Sequence, residues 1–147
     1  MSDISNLPNS KKIILKTRPN GDPEVSDFDI IEEIAKAPDD GEVLVEVQAL
    51  EIGAWIRTTL NETAFHGSTP IDGTIPALGN GKVIISKSEK FKEGDMVTGP
   101  LMAQSYTTMP ADFFTKVTNP EIDPFTEIGV LGVTTGLRAY FGIYDVG

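Results

Sequence analysis

The chain has 147 residues, 39% of them hydrophobic and 23% charged, which suits one soluble globular domain with a real core and is too short for two full ones. Its 22 acidic against 12 basic residues give a formal net charge of −10, which repels phosphate backbones and, with no basic patch, excludes nucleic acid as a partner. With no cysteine it can form neither disulfides nor thiolate metal sites, and with one histidine, His66, a zinc site would have to be built almost wholly from carboxylates, so no metal is expected.

No apolar run approaches the roughly 20 residues that span a bilayer. The polar start has no basic stretch followed by an apolar one, as a secretory leader would. The expectation is a cytoplasmic protein with no membrane partner. Fourteen glycines and ten prolines imply many turns and therefore many short strands.

Residues 11–17, Lys-Lys-Ile-Ile-Leu-Lys-Thr, read as a first strand, and the Arg18-Pro-Asn-Gly-Asp-Pro23 cluster carries the Asn-Gly signal of a hairpin. Residues 28–35 alternate Phe28, Ile30, then Ile31 and Ile34 among acids, which suits a second strand with a bulge about as well as a short helix, the strand being favoured. After the turn Pro38-Asp-Asp-Gly41, residues 42–50 set Val43, Val45, Val47 and Ala49 against Glu42, Leu44, Glu46 and Gln48, the cleanest period-two pattern in the chain. Alternation then stops, and a short helical turn is expected after Gly53. Residues 61–76 are polar and rich in glycine and proline, long for a connection without structure and therefore expected to be functional or mobile.

Residues 77–86 lead through Gly79-Asn-Gly81 into another strand, residues 91–99 read as turn then strand, and residues 105–110 as a further short β segment. Phe113, Phe114 and Val117 enter a short turn or strand. Turn signals about every ten residues argue an all-β barrel or sandwich up to residue 120. Helix is expected only in residues 124–147, where Leu137, Tyr140, Phe141 and Tyr144 recur at i, i+3, i+4 and i+7 on one face, with Gly147 as the terminating glycine. The domain division that follows is a barrel over residues 1–123 and a helical segment over 124–147. A helix apolar nearly all round wants neighbours on several sides, so a homodimer through this segment is a natural expectation.

Few side chains point to chemistry. Gly94-Asp95, between Phe91 and Gly99, supplies a tight turn and an acid able to bind nearby amides, a structural hairpin rather than a site. Trp55 and Arg57 follow the best strand, at a strand end where ligand contacts concentrate; they read either as a stacking and anion-binding pair or as a core anchor and a surface arginine. Asn80, between two glycines, either approaches a ligand or occupies a left-handed turn. His66 reads as a surface loop residue. Of the three tyrosines, which could donate protons by type, Tyr140 and Tyr144 read as core aromatics. Gly79-Asn-Gly81 does not open a helix and fails as a dinucleotide fingerprint.

Taken together, Gly41-Glu-Val-Leu-Val-Glu-Val47, Phe91-Lys-Glu-Gly-Asp-Met-Val-Thr-Gly99, residues 105–117 and Gly136-Leu-Arg-Ala-Tyr-Phe-Gly142 resemble, in order and spacing, the N-terminal GroES-like domain of the medium-chain dehydrogenase/reductase superfamily. The similarity is greatest to the zinc-independent branch of prostaglandin, leukotriene, alkenal and curcumin reductases. It covers essentially the whole chain, which would be only the first part of such an enzyme. The fold implied is mainly β, a partly open GroES-like barrel with a C-terminal helix and the Rossmann domain absent.

Where zinc-dependent relatives place metal ligands, this chain has Ile52-Gly-Ala-Trp and Leu78-Gly-Asn-Gly, so the resemblance, like the composition, implies no zinc. The branch has a tyrosine near the nicotinamide where this chain has Trp55, keeps an arginine at Arg57, and has a threonine where this chain has Arg138. The resemblance therefore implies a cofactor side formed by Trp55, Arg57, Asn80, Thr134, Thr135 and Arg138, with NADP(H) as cofactor and an enone or enal as substrate. It also implies that the segment given, ending before the family's glycine-rich nucleotide loop, is inactive by itself. The alternative is a free-standing GroES-like module for binding or oligomerisation, without catalysis.

Overall fold

The structure, a computed structural model, describes residues 6–119, 121–132 and 134–146. It contains seven strands: β1 (Asn9–Leu15), β2 (Phe28–Ile34), β3 (Glu42–Glu51), β4 (Leu78–Ser86), β5 (Met96–Pro100), β6 (Tyr106–Pro110) and β7 (Thr115–Lys116). Three short helices accompany them: α1 (Ala54–Thr59), α2 (Pro124–Ile128) and α3 (Gly136–Phe141). β1 and β2 form a two-stranded sheet, and the other five run in the order β6-β3-β4-β5-β7. Every strand pairing is antiparallel, so no parallel nucleotide-binding sheet occurs among the described residues.

The two sheets close on each other only in part. Isolated bridges join Lys12 to Gln104 and Ile14 to Thr74, and Ile13 and Leu15 donate backbone N–H groups to Ala103 and Gly73. The result is a mainly β, partly open barrel. β1 and β2 pair in regular register from Asn9–Ile34 to Leu15–Phe28, without the expected bulge. Their connection is no two-residue hairpin, because residues 16–27 intervene and end in a 3-10 turn, Val25–Asp27. The acids of β2 face the lysines of β1 and of the residue after it, with ion pairs Lys11–Glu32, Lys12–Glu33 and Lys16–Asp29.

β3 is an interior strand of the five-stranded sheet, and its outcome differs from simple alternation. Val43 and Val45 enter the main core with Val83, Phe91, Val97, Leu101 and Phe114. Leu44, assigned by period two to the wet face, is also fully buried, in a second cluster with Ala35 and Ile85. A strand flanked by β6 on one side and β4 on the other, and covered on both faces, needs apolar residues at consecutive positions. β3 also shifts register against β4 between Leu44 and Val45 and again between Val47 and Ala49. There its backbone presses so close to β4 that a Cβ at Gly79 would lie 2.2 Å from the Ala49 carbonyl oxygen, and one at Gly81 2.4 Å from that of Glu46. The Gly-Asn-Gly sequence is thus a requirement of strand packing, and Asn80 lies in extended strand, not in a left-handed turn.

The C-terminal segment is less continuous than its periodicity suggests. α2 is capped by Asp123, whose carboxylate accepts from the Thr126 amide at 2.9 Å, and it stops at Gly129. α3 begins at Gly136 and continues as a π turn, Gly142–Val146. Glycines at 129, 132 and 136 weaken helix through this stretch. Val133 and the expected terminating Gly147 lie outside the described residues.

Candidate functional site

Antiparallel register brings one end of four strands to the same edge: Glu51 of β3 pairs with Leu78 of β4, Gly79 with Gly99 of β5, and Thr98 with Thr115 of β7. Across this edge run α2 and the residues that follow it. Between sheet and segment lies a cleft of about 270 Å³, whose apolar wall includes Leu78, Phe113, Ile128 and Leu131, and whose polar wall includes Glu51, Thr98, Glu127 and Thr134.

Among the described residues, three side-chain hydrogen bonds tie this segment to the barrel. The Thr134 hydroxyl donates to Oε1 of Glu51, and the side-chain amide of Asn80 donates to the Pro124 carbonyl at 2.8 Å and to the Glu127 carboxylate at 3.2 Å. Asn80 is 1% exposed. With two acceptors facing its nitrogen the amide has one sensible orientation, which leaves its oxygen buried without a partner.

Trp55, in α1, packs its indole over Gly53. A Cβ there would lie 2.8 Å from the indole nitrogen and 3.2 Å from Oε1 of Glu51, so Trp55 and the carboxylate are neighbours. The indole N–H is buried and unpartnered. On its other side the ring meets His66 edge-on at 6.3 Å, and His66 in turn meets Phe65 at 5.1 Å. Phe65 is 96% exposed, on the long loop after α1.

The six residues singled out from the sequence therefore do not form one constellation. Thr134 lines the cleft, with Trp55 beside Glu51 at its margin. Asn80 lies next to it, in contact with Glu127. Arg57 is engaged by the fold: its guanidinium donates to Asn61 Oδ1 at 3.0 Å and to the Gly21 carbonyl at 2.6 Å, tying α1 to the β1–β2 connection. Thr135, at the start of α3, and Arg138, within it, are exposed. Tyr106 directs its hydroxyl to Glu46 at 3.3 Å, and burial first, with the Glu46 charge adding to it, pushes its phenol above the usual value. Tyr140 and Tyr144, expected in a core, are 55% and 74% exposed, stacked on each other at 4.9 Å.

Glu51 and Glu127 are the cleft residues that sequence reasoning missed. Glu51 lies one place past the predicted strand, in the phase of Val43, Val45, Val47 and Ala49 where an acid breaks the pattern, and its hydroxyl partner lies 83 positions away. The usable signal was its place at the strand terminus, just before alternation is lost.

As a nicotinamide site the cleft fits in part. A ring and its carboxamide suit the hydroxyls and apolar wall, whereas the lining has two carboxylates and no lysine or arginine to meet phosphates. Among the described residues no group of three or more His, Asp or Glu side chains could hold a metal ion.

Comparison with known proteins defines the class. Residues 11–117 match the family described as the N-terminal domain of oxidoreductase. The chain belongs to that family, the GroES-like N-terminal domain of the zinc-independent medium-chain dehydrogenase/reductases. Among particular relatives, it is 28% identical over 140 residues to the NADPH-dependent curcumin reductase of Escherichia coli, covering 94% of this chain and 40% of the relative. It is 27% identical over 147 residues to the NADP(+)-dependent 2-alkenal reductase of Nicotiana tabacum, covering 93% and 41%. The chain thus spans about 40% of the length of these curated relatives. The fold is shared with crystal structures of CurA from Vibrio vulnificus, at a TM-score of 0.83 and 22% identity over 92% of this chain and 40% of that one. The complex of CurA with NADPH gives 0.82 and 23%, with the same coverage.

Proposed function

We propose that these residues form the substrate-side domain of an NADP(H)-dependent reductase that saturates the carbon–carbon double bond of an enone or enal. The observation that carries the reading is the likeness to named NADP(H)-dependent reductases over nearly the whole chain. In this reading residues 1–123 are the barrel and 124–147 the joint to a nucleotide-binding domain, in a cytoplasmic enzyme acting without zinc. When bound, NADP(H) would supply hydride chemistry at the β-carbon of the substrate, with a proton taken up at the α-carbon. This chain's part is to wall the cleft: Phe113, Leu78 and Ile128 exclude water from a flat substrate, Thr134 offers a hydroxyl oxygen, and Trp55 closes the margin. Thr135 and Arg138 would serve from α3. Arg57 and Asn80 would act by holding α1 and α2 in place.

The 147 residues by themselves are expected to give no turnover of NADPH with 4-phenyl-3-buten-2-one, as followed by absorbance loss. Joined in frame to the nucleotide-binding half of a curcumin reductase, the same residues should restore it. Turnover by the isolated chain, or a folded, NADPH-binding chimera inert toward every enone and enal tried, would count against the reading. A second reading, an association module without catalysis, is favoured by one observation: the apolar side chains of residues 137–146 are exposed.

A further inference from the structure

Resting on the reading of this cleft as the substrate wall, we propose that Glu51 and Glu127 make it a charge filter that admits neutral, flat conjugated carbonyl compounds and turns away their carboxylate counterparts. Both acids line the same cleft of about 270 Å³, and the lining holds no lysine or arginine. Neither belongs to an ion pair among the described residues.

Both carboxylates are fixed at the wall instead of swinging into solvent. Glu51 accepts the Thr134 hydroxyl, and Glu127 accepts the amide of the fully buried Asn80. Two hydroxyls of the lining reinforce the sign. The Thr98 hydroxyl donates away to the Gly79 carbonyl at 3.0 Å, and the Thr134 hydroxyl donates to Glu51. Their lone pairs are left toward the cleft, which therefore presents acceptors and negative charge around an apolar centre of Leu78, Phe113, Ile128 and Leu131. A planar neutral molecule meets the apolar wall without a charge penalty. An anion of the same shape is desolvated beside two fixed like charges, which should weaken it at least about tenfold. The substrate class this selects is the enone, enal or unsaturated amide, and not the unsaturated acid.

The chain contains a single tryptophan, and its indole adjoins Glu51, so the indole N–H resonance of Trp55 in the labelled 147-residue chain reports on the cleft. Cinnamamide and cinnamate, nearly the same in shape and different in charge at neutral pH, are the probes. Cinnamamide should shift the resonance at concentrations about tenfold or more below those cinnamate needs. Added salt should narrow that gap in the unaltered chain, and Glu51→Gln with Glu127→Gln should abolish it. Equal binding of the two probes, or a gap that persists in the double variant, overturns the filter and leaves the reductase reading standing. Binding of neither overturns both the filter and the assignment of this cleft to substrate.

Discussion

Asp95 shows how much one turn residue can do. Its carboxylate accepts the Lys92 amide at 2.9 Å, closing the turn that carries Gly94 at a φ of 92°, and takes the Lys116 ammonium at 2.6 Å, pinning β7 to the start of β5. The Lys116 hydrogen bond, ahead of the Lys92 amide, holds this carboxyl below its ordinary value of 3.8. A lowered folded-state value means stability that is fully present above the unfolded value and lost as pH falls through the folded one. Asp95→Asn should therefore cost about 1 kcal/mol near neutral pH, modest because the pair is near the surface. That difference should shrink as both proteins are taken below about pH 4. Urea melts at pH 6 and pH 3 would measure it, and an unchanged difference would count against the assignment. This residue was legible because turn, acid and following strand are local in sequence. Glu51 and Asn80 were not: their partners lie 83 and at least 44 positions away, and no local pattern encodes which distant hydroxyl or carbonyl a side chain will meet.

At the scale of elements, strands were readable to within a few residues because half-buried sheets impose period two, and the best pattern, residues 42–50, became β3, the longest strand. What the pattern missed is the burial of Leu44, since a strand covered on both faces obeys no alternation. The terminal helix broke where three glycines compete with an otherwise convincing apolar period. Asn80 is the contact through which β4 holds α2, and its replacement separates local from global stability. In Asn80→Leu the Pro124 carbonyl and Glu127 lose a donor, which destabilises, while the buried unpartnered amide oxygen disappears, which offsets that loss. The net change in unfolding free energy should stay within about 1 kcal/mol. Hydrogen exchange in α2 should nonetheless rise by an order of magnitude or more, because a five-residue helix has little stability of its own. Wild-type exchange in α2 together with a large global loss would show that Asn80 acts as core filler instead of a latch.

For the whole molecule, the core clusters all lie in the barrel, and among the described residues the terminal segment has none. The barrel seals a core of its own, with Val43, Val45, Val83, Val97 and Leu101 closed off from solvent, and leaves only scattered apolar side chains such as Ile30, Ile34, Ile52 and Phe65 exposed. The segment beyond α2 leaves Leu137, Tyr140, Phe141, Ile143, Tyr144 and Val146 exposed, and Tyr140 packs chiefly on Phe141 and Tyr144 of its own turn, at 5.4 and 4.9 Å. Burying the exposed part of such side chains is worth about 25 cal/mol per Å², so a patch of several large residues drives association unless charge opposes it. The formal charge of −10 does oppose it, through a repulsion that salt screens within about 10 Å. Self-association of the 147-residue chain through residues 137–146 should therefore strengthen as salt is raised, the opposite of an interface held by ion pairs. Sedimentation equilibrium at low micromolar protein, in low and in moderate salt, should show dimers increasing with salt. Tyr144→Glu with Ile143→Asp should return the chain to monomer while leaving the thermal midpoint of the barrel within about 2 °C, since neither side chain touches the core clusters. A monomer at every salt concentration would show instead that the segment covers its own apolar face in solution, and would remove the observation that favours an association module.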